Sequence, residues 1–517
     1  MNTVRTTNRP WVWCLAATAL GSAPQFTAGE IQPTGEFDGT SVAGSVLPRP
    51  FSSPACEPRG VHIGITDDPT TMLAVSWYTR CVLGGEPIVA WEARDGSAES
   101  GKATGISKCA PRHPSIGPAP FHHVTIKGLK AHTEYALTLP HRDEALRVWT
   151  APAESDSISF IAFGDVGTRR SAKRFLRRVS ESVRAGTPPG FALVLGDWSY
   201  ANKNLFPDYG VKRPVDQHGL EQPWHETWCD LFDGLSGIAE GMPVFGPLGN
   251  HDHREKWRSP RKIPWSHEAL TDRVVFPEGG GPDGRYYTVR WGSLQIFVFD
   301  VESLEDRGRD LRAQYEWAEG QLKESHRDAA ITWRIALVHT PVFPSPGEAQ
   351  NPQLVRALSC LFEQKSTHVD LVLSGDLHIY ERSVPILRQG EGPSKGIGGE
   401  SPVDRHRPCV GEQAVRHITV GTGGRSGKSH RRFSGGQFHA FPARDDEPNR
   451  NGFLRVDIVG DQLTTAFYRC TAPELKCSSF DLIDRVTIRK TVGSELEGKS
   501  SRGILEGPPV DEVPPTR

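Results

Sequence analysis

Five short apolar segments in the middle of the chain each end at a side chain that can bind a metal ion. The segments are 161–163, 193–195, 244–248, 335–338 and 371–374. The metal-capable residues that follow them are, in chain order, Asp165, Asp197, Asn250 with His251, His339, and Asp376 with His378. Because sites in α/β sheets form outside the carboxyl ends of the strands, side chains far apart in sequence can converge there. The pattern therefore predicts an α/β sheet with a metal site along one edge.

Helical periodicity between the apolar segments supports this fold. In 170–185, Phe175, Leu176, Val179 and Val183 lie at helical spacing, and Gly186 follows as a stop signal. A second helix is predicted over 311–322, and a third around Leu358. Strands that alternate with helices after Ala151-Pro152 are typical of layered α/β domains.

Each motif taken alone has an ordinary explanation. A Gly-Asp pair after a strand is more often a turn or a helix cap than a metal ligand, and an Asn-His pair is common in turns. The five strand ends together offer only oxygen and imidazole donors and no thiolate. This combination predicts a metal site for hard or borderline ions.

The region before residue 152 has a different pattern. Short alternating segments such as 73–77, 88–91, 123–126 and 133–139 predict an all-β domain. It resembles a fibronectin-type-III-like sandwich, with Trp77 in the core and Tyr135 as the corner tyrosine whose hydroxyl ties back to the backbone. We assign no chemistry to this domain.

The N-terminus has the pattern of an export signal. Arg5 and Arg9 precede a short apolar stretch, 11–20, and small residues continue to Gly29. We therefore expect a secreted or periplasmic protein, without a membrane span. Outside the signal there are eight cysteines, and none has the CxxC spacing of zinc-thiolate sites. Disulfides are expected; only Cys470–Cys477 is close enough in sequence to suggest as a pair.

Composition excludes some classes of partner. The net charge of −2 is unlike that of nucleic-acid-binding domains, which are strongly basic. We expect small-molecule substrates and no nucleic acid, and the oligomeric state stays open. The chain contains no P-loop or HExxH motif, so a zincin-type site is not indicated.

The motifs GDVG, GDWSYA, GNHD, VHTP and GDLHIYER occur in the order that calcineurin-like metallophosphoesterases show. The tyrosine of GDWSYA, the YER tail and the preceding sandwich make the chain resemble purple acid phosphatases from about Val61 to about Cys470. Segments 417–424 and 451–469 resemble the C-terminal part of that family. The resemblance implies a four-layer α/β/β/α sandwich, expected at 153–490, after the all-β domain (59–152). The N-terminal pattern and composition predict a signal peptide (1–29) and a linker (30–58) before them. Residues 491–517 are expected to be a disordered tail.

The resemblance also implies a dinuclear metal site. Asp165, Asp197, Tyr200 and His378 would hold ferric iron, and the Asp197 carboxylate would bridge both ions. Asn250 and His339 would hold a divalent second ion: zinc, manganese or ferrous iron. His251 would not bind metal but would assist departure of the leaving group as the catalytic residue.

The chain departs from the family in its last motif. The family has Gly-His-x-His, whereas here Asp376 occupies the place of the first histidine. A carboxylate favours harder ions such as manganese, ferrous iron or magnesium over zinc. The alternatives are a weakened second site or a supporting role for Asp376. The segment 341–350 also lacks the substrate-contacting histidines of plant members, and His218, His225 and His253 are possible substitutes or ordinary surface histidines.

The resulting expectation is a secreted acid phosphatase that hydrolyses phosphate monoesters by attack of a metal-bound hydroxide. One alternative is a phosphodiesterase or nucleotide pyrophosphatase that uses the same site. The other is a secreted binding protein whose metal site has decayed, an alternative that only Asp376 supports.

Overall fold

The structure is a computed structural model of the full chain. It describes residues 56–81, 83–108, 120–200, 223–252, 270, 272–281, 284–302, 309–344, 352–387, 411–425, 439–441, 451–472 and 476–490. The expected signal peptide, most of the linker and the C-terminal tail lie outside these residues. The side chains of 223–226, 309–311, 352–356 and 439–441 are also outside the description.

The N-terminal region is all-β, as the alternating pattern predicts. One sheet has the order β1-β2-β6-β5 and the other β4-β3-β7-β8. Their strands are β1 Arg59–Gly64, β2 Met72–Tyr78, β3 Ile88–Ala93, β4 Ser100–Thr104, β5 Ile106–Lys108, β6 Phe121–Lys127, β7 Glu134–Thr138 and β8 Leu146–Trp149. Trp77 is buried in the core between the sheets. The Tyr135 hydroxyl accepts a hydrogen bond of 2.8 Å from the Lys130 backbone N–H, which confirms its predicted tie to the backbone.

Two further sheets follow after residue 156. The six-stranded sheet has the order β11-β10-β9-β19-β20-β21, and the seven-stranded sheet has the order β12-β13-β14-β15-β17-β16-β18. Strands of the first are β9 Ser157–Phe163, β10 Phe191–Val194, β11 Val244–Phe245, β19 Gly452–Val459, β20 Gln462–Cys470 and β21 Phe480–Arg489. Strands of the second are β12 Tyr287–Trp291, β13 Leu294–Val298, β14 Trp333–Leu337, β15 Leu371–Ser374, β16 Tyr380–Ser383, β17 Arg416–Val420 and β18 His439–Phe441.

Helices cover the outer faces of both sheets. They are α1 Arg170–Ala185, α2 Pro223–Ala239, α3 Arg309–Arg327 and α4 Pro352–Phe362. One core packs α1 and α2 on the six-stranded sheet, and another packs α3 and α4 on the seven-stranded sheet. A third core, which includes Phe160, Leu193 and Leu337, lies between the two sheets. This arrangement confirms the predicted α/β/β/α sandwich.

The all-β region packs against α2. Phe121 and Tyr78 belong to the same hydrophobic cluster as Trp228 and Phe232 of the helix. The Tyr78 hydroxyl donates to the Asp233 carboxylate at 2.9 Å. The His62 ring stacks on Phe232 with 4.1 Å between the ring centroids. The contact therefore buries aromatic and imidazole groups together.

Two disulfides are described in full, Cys56–Cys81 and Cys470–Cys477, and the second is the pair suggested by sequence. Cys360 is also disulfide-bonded. Cys229 is buried and forms no disulfide with any described cysteine. The described helices include none that is long and apolar enough to cross a membrane.

Candidate metal centre

The predicted ligands converge because parallel strands end at the same edge. Strands β9 and β10 are parallel neighbours, and Asp165 and Asp197 follow them. Strands β14 and β15 are parallel neighbours in the other sheet, and His339 and Asp376 follow them. The ligand atoms of Asp165, Asp197 and His339 all lie within 4.8 Å of one another, and all three residues are buried.

One half of the site is built around Asp165. The Tyr200 hydroxyl donates to Asp165 Oδ1 at 2.8 Å and lies 2.8 Å from His378 Nε2. His378 Nε2 is itself 3.3 Å from Asp165 Oδ1. Since the ligand atoms of Asp197 and Asp165 lie within 4.8 Å of each other, the structure brings together all four residues expected to hold the first metal.

The other half is built around His339. Its Nδ1–H donates to the Leu195 carbonyl oxygen at 2.8 Å, which leaves Nε2 directed into the site. Nε2 lies 3.3 Å from Asp197 Oδ1 and 3.8 Å from Asp376 Oδ1. A histidine oriented by a backbone carbonyl through one nitrogen has the usual arrangement of a metal ligand. Asp197 thus faces the second half, and Asp376 points into it.

Among the described residues, two buried polar atoms at the centre have no well-formed hydrogen bond: Asp165 Oδ2, and His339 Nε2, whose neighbour Asp197 Oδ1 is 3.3 Å away. Nearly all buried polar side-chain atoms in proteins are satisfied, so such atoms require an explanation. Both atoms are of the kinds that bind iron, zinc or manganese, and they belong to the cluster whose ligand atoms lie within 4.8 Å. The residues present therefore fit a metal ion.

The electrostatics of the protein without metal ions are those of a site built for cations. Burial opposes ionisation of Asp197, but His339 and His251 outweigh it and hold the pKa of Asp197 below its usual value. Burial likewise opposes a charge on His339, but Asp197 and the other carboxylates raise its pKa well above normal. Burial, followed by the charges of Asp165 and Asp197, raises the pKa of the Tyr200 phenol. A bound cation reverses this last effect, because a nearby positive charge favours the phenolate.

The backbone at these strand ends is left-handed. Eight non-glycine residues of the described chain have positive φ, and five of them are predicted metal ligands. These five are Asp165, Asp197, Tyr200, Asp376 and His378, with φ between 53° and 65°. This conformation costs about 1–2 kcal/mol for a residue with a side chain. Such strain is concentrated at functional sites, where the surrounding structure fixes it.

Glycines let the strand ends approach each other. A Cβ at Gly196, whose φ is 82°, would overlap the imidazole of His339. A Cβ at Gly375 would lie 2.9 Å from Asp165 Oδ2 and 2.5 Å from the Leu195 carbonyl oxygen. The glycines before Asp197 and Asp376 are therefore required by the close packing of the site.

The Gly-Asn-His-Asp turn is anchored on Asp197. The His251 backbone N–H donates to Asp197 Oδ1 at 2.8 Å, and His251 Nε2 lies 3.9 Å from Asp197 Oδ2. The His251 ring centroid is 4.7 Å from that of Tyr200. Asn250 lies in the same turn and is exposed. The structure places His251 beside the centre and Asn250 at its rim.

Asp252 has a structural function that the sequence interpretation did not assign. Its buried carboxylate accepts N–H bonds from Trp198 at 2.9 Å and from Gly249 at 2.8 Å. It therefore ties the turn to the loop that carries Asp197. The sequence could have indicated a role for Asp252, because it is the last residue of the GNHD motif.

The YER tail also has a structural function. Tyr380, Glu381 and Arg382 lie in β16, and the Tyr380 hydroxyl donates to Asp484 at 2.6 Å. The Arg382 guanidinium donates two hydrogen bonds to the same carboxylate, at 2.7 and 3.0 Å, in a bidentate arrangement. These residues join β16 to β21 and do not contact the metal ligands through any of these bonds.

Two residues near the centre were missed by sequence reasoning. Glu302 is buried, accepts a hydrogen bond of 2.6 Å from Thr340, and has its pKa raised to about 8 by burial, with the charge of Asp376 adding to the effect. Arg425 lies with its guanidinium 4.4 Å from the centroid of the Tyr200 ring. Glu302 follows a sixth apolar segment, β13, so the same strand-end rule could have found it. Arg425 is the first residue after the segment 417–424.

The possible substitute histidines were not located. His218 and His253 lie outside the described residues, and of His225 only the backbone, in α2, is described.

Known proteins that are similar to this chain include phosphoesterases, in agreement with the motifs in its sequence. Residues 158–380 match the family model for calcineurin-like phosphoesterases. Purple acid phosphatase 1 of Ipomoea batatas is 26% identical over 383 residues, which cover 71% of this chain and 72% of the relative. The Fe(3+)-Zn(2+) purple acid phosphatase 12 of Arabidopsis thaliana is 25% identical over 414 residues, covering 76% and 79%.

Among solved structures, the fold is similar to a PhoD structure with a TM-score of 0.52 and 13% identity, covering 88% of this chain and 94% of that one. This likeness concerns the fold alone. The chain contains a calcineurin-like phosphoesterase domain, and its sequence relatives include proteins named purple acid phosphatases.

Proposed function

We propose that this protein is a secreted phosphatase that hydrolyses phosphate monoesters at a site for two metal ions. The observation that carries the proposal is the position of Asp197. The Asp197 carboxylate lies within 4.8 Å of a ligand atom of Asp165, a residue of the first half of the site. Its Oδ1 atom is also 3.3 Å from Nε2 of His339, in the second half. A carboxylate shared in this way is suited to bridge two cations.

In this proposal the first ion is ferric iron, held by Asp165, Asp197, Tyr200 and His378. The second is a divalent ion, zinc, manganese or ferrous iron, held by Asn250, His339 and Asp376 together with Asp197. The 3.8 Å between Asp376 Oδ1 and His339 Nε2 supports a ligand role for Asp376. Its carboxylate favours manganese or ferrous iron over zinc at that position.

Two cations held by these residues would supply charge neutralisation for the phosphoryl oxygens and activation of a water, the chemistry that attack on a phosphate dianion requires. The chain itself supplies orientation and proton transfer. The His251 backbone N–H donates a hydrogen bond to Asp197. The His251 side chain is 17% exposed, so its ring is accessible to substrate. We assign His251 the role of donating a proton to the leaving oxygen.

The location of the protein and its domain limits are part of the proposal. The Cys56–Cys81 and Cys470–Cys477 disulfides support an oxidising compartment, in agreement with an export signal over 1–29. We propose domains at 59–152, of fibronectin-type-III-like class, and at 153–490.

The test combines metal analysis with a substrate panel. We expect purified protein to contain two metal ions per chain and to hydrolyse phenyl phosphate faster than bis-phenyl phosphate at acid pH. The variant Asp457→Asn should keep the wild-type metal content and turnover. Asp457 contacts Arg455 at 3.0 Å on β19 and lies outside the predicted ligand set. Faster turnover of the diester would favour a phosphodiesterase. Purified protein that contains no metal and shows no turnover would rule out the proposed enzymatic function.

A further inference from the structure

The aromatic ring of Tyr200 lies next to a cation. The guanidinium carbon of Arg425 is 4.4 Å from the ring centroid, within the distance of about 6 Å at which a cation and an aromatic ring attract each other. Tyr200 is buried, with 4% of its surface exposed, and Arg425 is partly buried. Because little water screens a charge in such a place, the Arg425 charge acts directly on the electrons of the ring.

Backbone hydrogen bonds fix the segment that carries Arg425. The Arg425 backbone N–H donates to the Asp165 carbonyl oxygen at 2.9 Å, and the N–H of Gly423 donates to the carbonyl oxygen of Gly164 at 2.7 Å. The Asp165 side chain in turn accepts a hydrogen bond of 2.8 Å from the Tyr200 hydroxyl. Arg425 and Tyr200 are therefore both attached to the strand end at Asp165.

The Tyr200 ring is also confined by other neighbours. The centroid of the His251 ring is 4.7 Å from that of Tyr200. The Gly167 backbone lies against the ring, since a Cβ at this residue would be 3.3 Å from Tyr200 Cδ2. The hydroxyl end is 2.8 Å from His378 Nε2. The fold thus sets the position of the ring against Arg425.

A fixed cation changes how strongly a phenolate donates electrons to a metal ion. In the proposed function Tyr200 binds ferric iron, and the visible band of such a pair arises when light moves one electron from the phenolate to the iron. A positive charge beside the ring lowers the energy of the ring electrons. This transfer then needs more energy, and donation in the ground state is weaker. Groups outside the ligand set commonly adjust a metal ion through its ligands in this way.

We propose that Arg425 is a positioning residue that acts through the Tyr200 ring and weakens electron donation from Tyr200 to the first metal ion. Weaker donation leaves more positive charge on the ion, and this charge is what polarises phosphoryl oxygens and water. The inference rests on the proposed binding of ferric iron by Tyr200, and it assigns Arg425 the control of that ligand.

The first test compares the visible absorption of iron-loaded wild type and Arg425→Gln. We expect the band maximum of the variant at longer wavelength, because loss of the cation raises the energy of the ring electrons. Arg425→Met also removes the charge, keeps an unbranched apolar stem and should shift the band in the same direction. Arg425→Lys keeps a charge, and its maximum should lie between those of Arg425→Gln and wild type. A variant that only binds less iron loses intensity at an unchanged wavelength.

The reduction potential of the iron is a second measurement of the same effect. In a redox titration an electrode supplies one electron, which converts ferric to ferrous iron. The positive charge of Arg425 favours the added electron. We therefore expect a lower potential in Arg425→Gln and Arg425→Met than in wild type, and a smaller decrease in Arg425→Lys.

The control is Arg177→Gln on α1, which removes a positive charge from an arginine that pairs with Glu181 and is 78% exposed. It should keep the wild-type wavelength and potential. An unchanged maximum, or one at shorter wavelength, in Arg425→Gln and Arg425→Met would overturn the proposal. So would a shift in Arg425→Lys as large as in Arg425→Gln, because the effect would then follow from side-chain shape. Iron-loaded wild type without a visible band would instead refute the Tyr200 ligation on which the inference rests.

Discussion

Two buried histidines of β6, of which His123 bonds a residue outside the all-β region, should make the fold sensitive to acid. Burial lowers the pKa of His122 to about 4 and that of His123 to about 3. His123 Nε2 lies 2.9 Å from the Asp272 carbonyl oxygen and must donate to it, so Nδ1 accepts from Ser76. Both nitrogens are satisfied in the neutral ring, and burial disfavours the charged ring that a second proton would create.

His122 has the same arrangement. Thr79 Oγ1 donates to the Cys81 carbonyl oxygen at 2.7 Å, so it accepts from His122 Nε2–H at 2.9 Å. His122 Nδ1 then accepts from Ser107 Oγ at 2.8 Å. Neighbouring His62 also has a lowered pKa, about 4. Its ring nitrogens, however, face two carbonyl oxygens, at 2.7 and 2.8 Å, and these favour the protonated ring. The loss of folding stability at low pH is therefore assigned to His122 and His123 only.

The sign of the effect follows from proton linkage. In the unfolded chain each histidine titrates near pH 6.5, whereas in the fold it stays neutral to about pH 4 or below. The unfolded state therefore binds more protons between these values, and stability falls as the pH falls through 6.5. At pH 5 the loss is about 2 kcal/mol for each histidine and about 4 kcal/mol for the pair.

Urea unfolding at pH 7.5 and pH 5.0, followed by tryptophan fluorescence, measures this loss. We expect His122→Gln/His123→Gln to lose about 4 kcal/mol less than wild type between the two pH values. Titration of the metal-site histidines is common to both proteins and cancels in the difference. His132→Asn, at an exposed histidine with φ of 51°, is the control and should behave as wild type. The same pH-dependent loss in wild type and the double variant would refute the reasoning.

Substitutions at three positions, Gly196, Tyr200 and Asp376, also test the metal centre. Gly196→Ala and Gly128→Ala both place a side chain at positive φ, which costs about 1 kcal/mol, but only the first overlaps His339. Calorimetry should therefore show a larger drop in Tm for Gly196→Ala, with loss of bound metal, and equal drops would contradict the packing argument. Tyr200→Phe should lose the visible absorption band of an iron-loaded protein, and a persistent band would exclude tyrosine ligation. Asp376→His should bind more zinc relative to manganese in competition, whereas unchanged metal content in Asp376→Ala would show that Asp376 is not a ligand.

Much of the fold and centre could be predicted because the rule behind them is local. Buried strands appear as apolar runs, and a glycine followed by a metal-capable side chain marks the place where each strand ends. This rule found Asp165, Asp197, His339 and Asp376, and the helix 170–185 agrees with α1. The structure then explains the glycines as points of close approach, for example Gly196 against His339.

The remaining features depend on contacts that no local pattern encodes. The buried bonds of Asp252 and the pairing of Arg382 with Asp484 join segments far apart in the chain. Arg425 has no motif of its own, and it reaches the site because Gly423 binds Gly164 across two strand ends. The tie between His123 and Asp272 likewise spans two parts of the fold, so its pH sensitivity could not be predicted from sequence.

The central claim is that strand ends from two sheets build one centre for two metal ions around Asp197. Elemental mass spectrometry of the purified protein tests it most directly, with wild type compared to Asp197→Asn. We predict two ions per chain in wild type and at most one in the variant. One ion or none in wild type, or an unchanged content in Asp197→Asn, would contradict the shared role of this carboxylate.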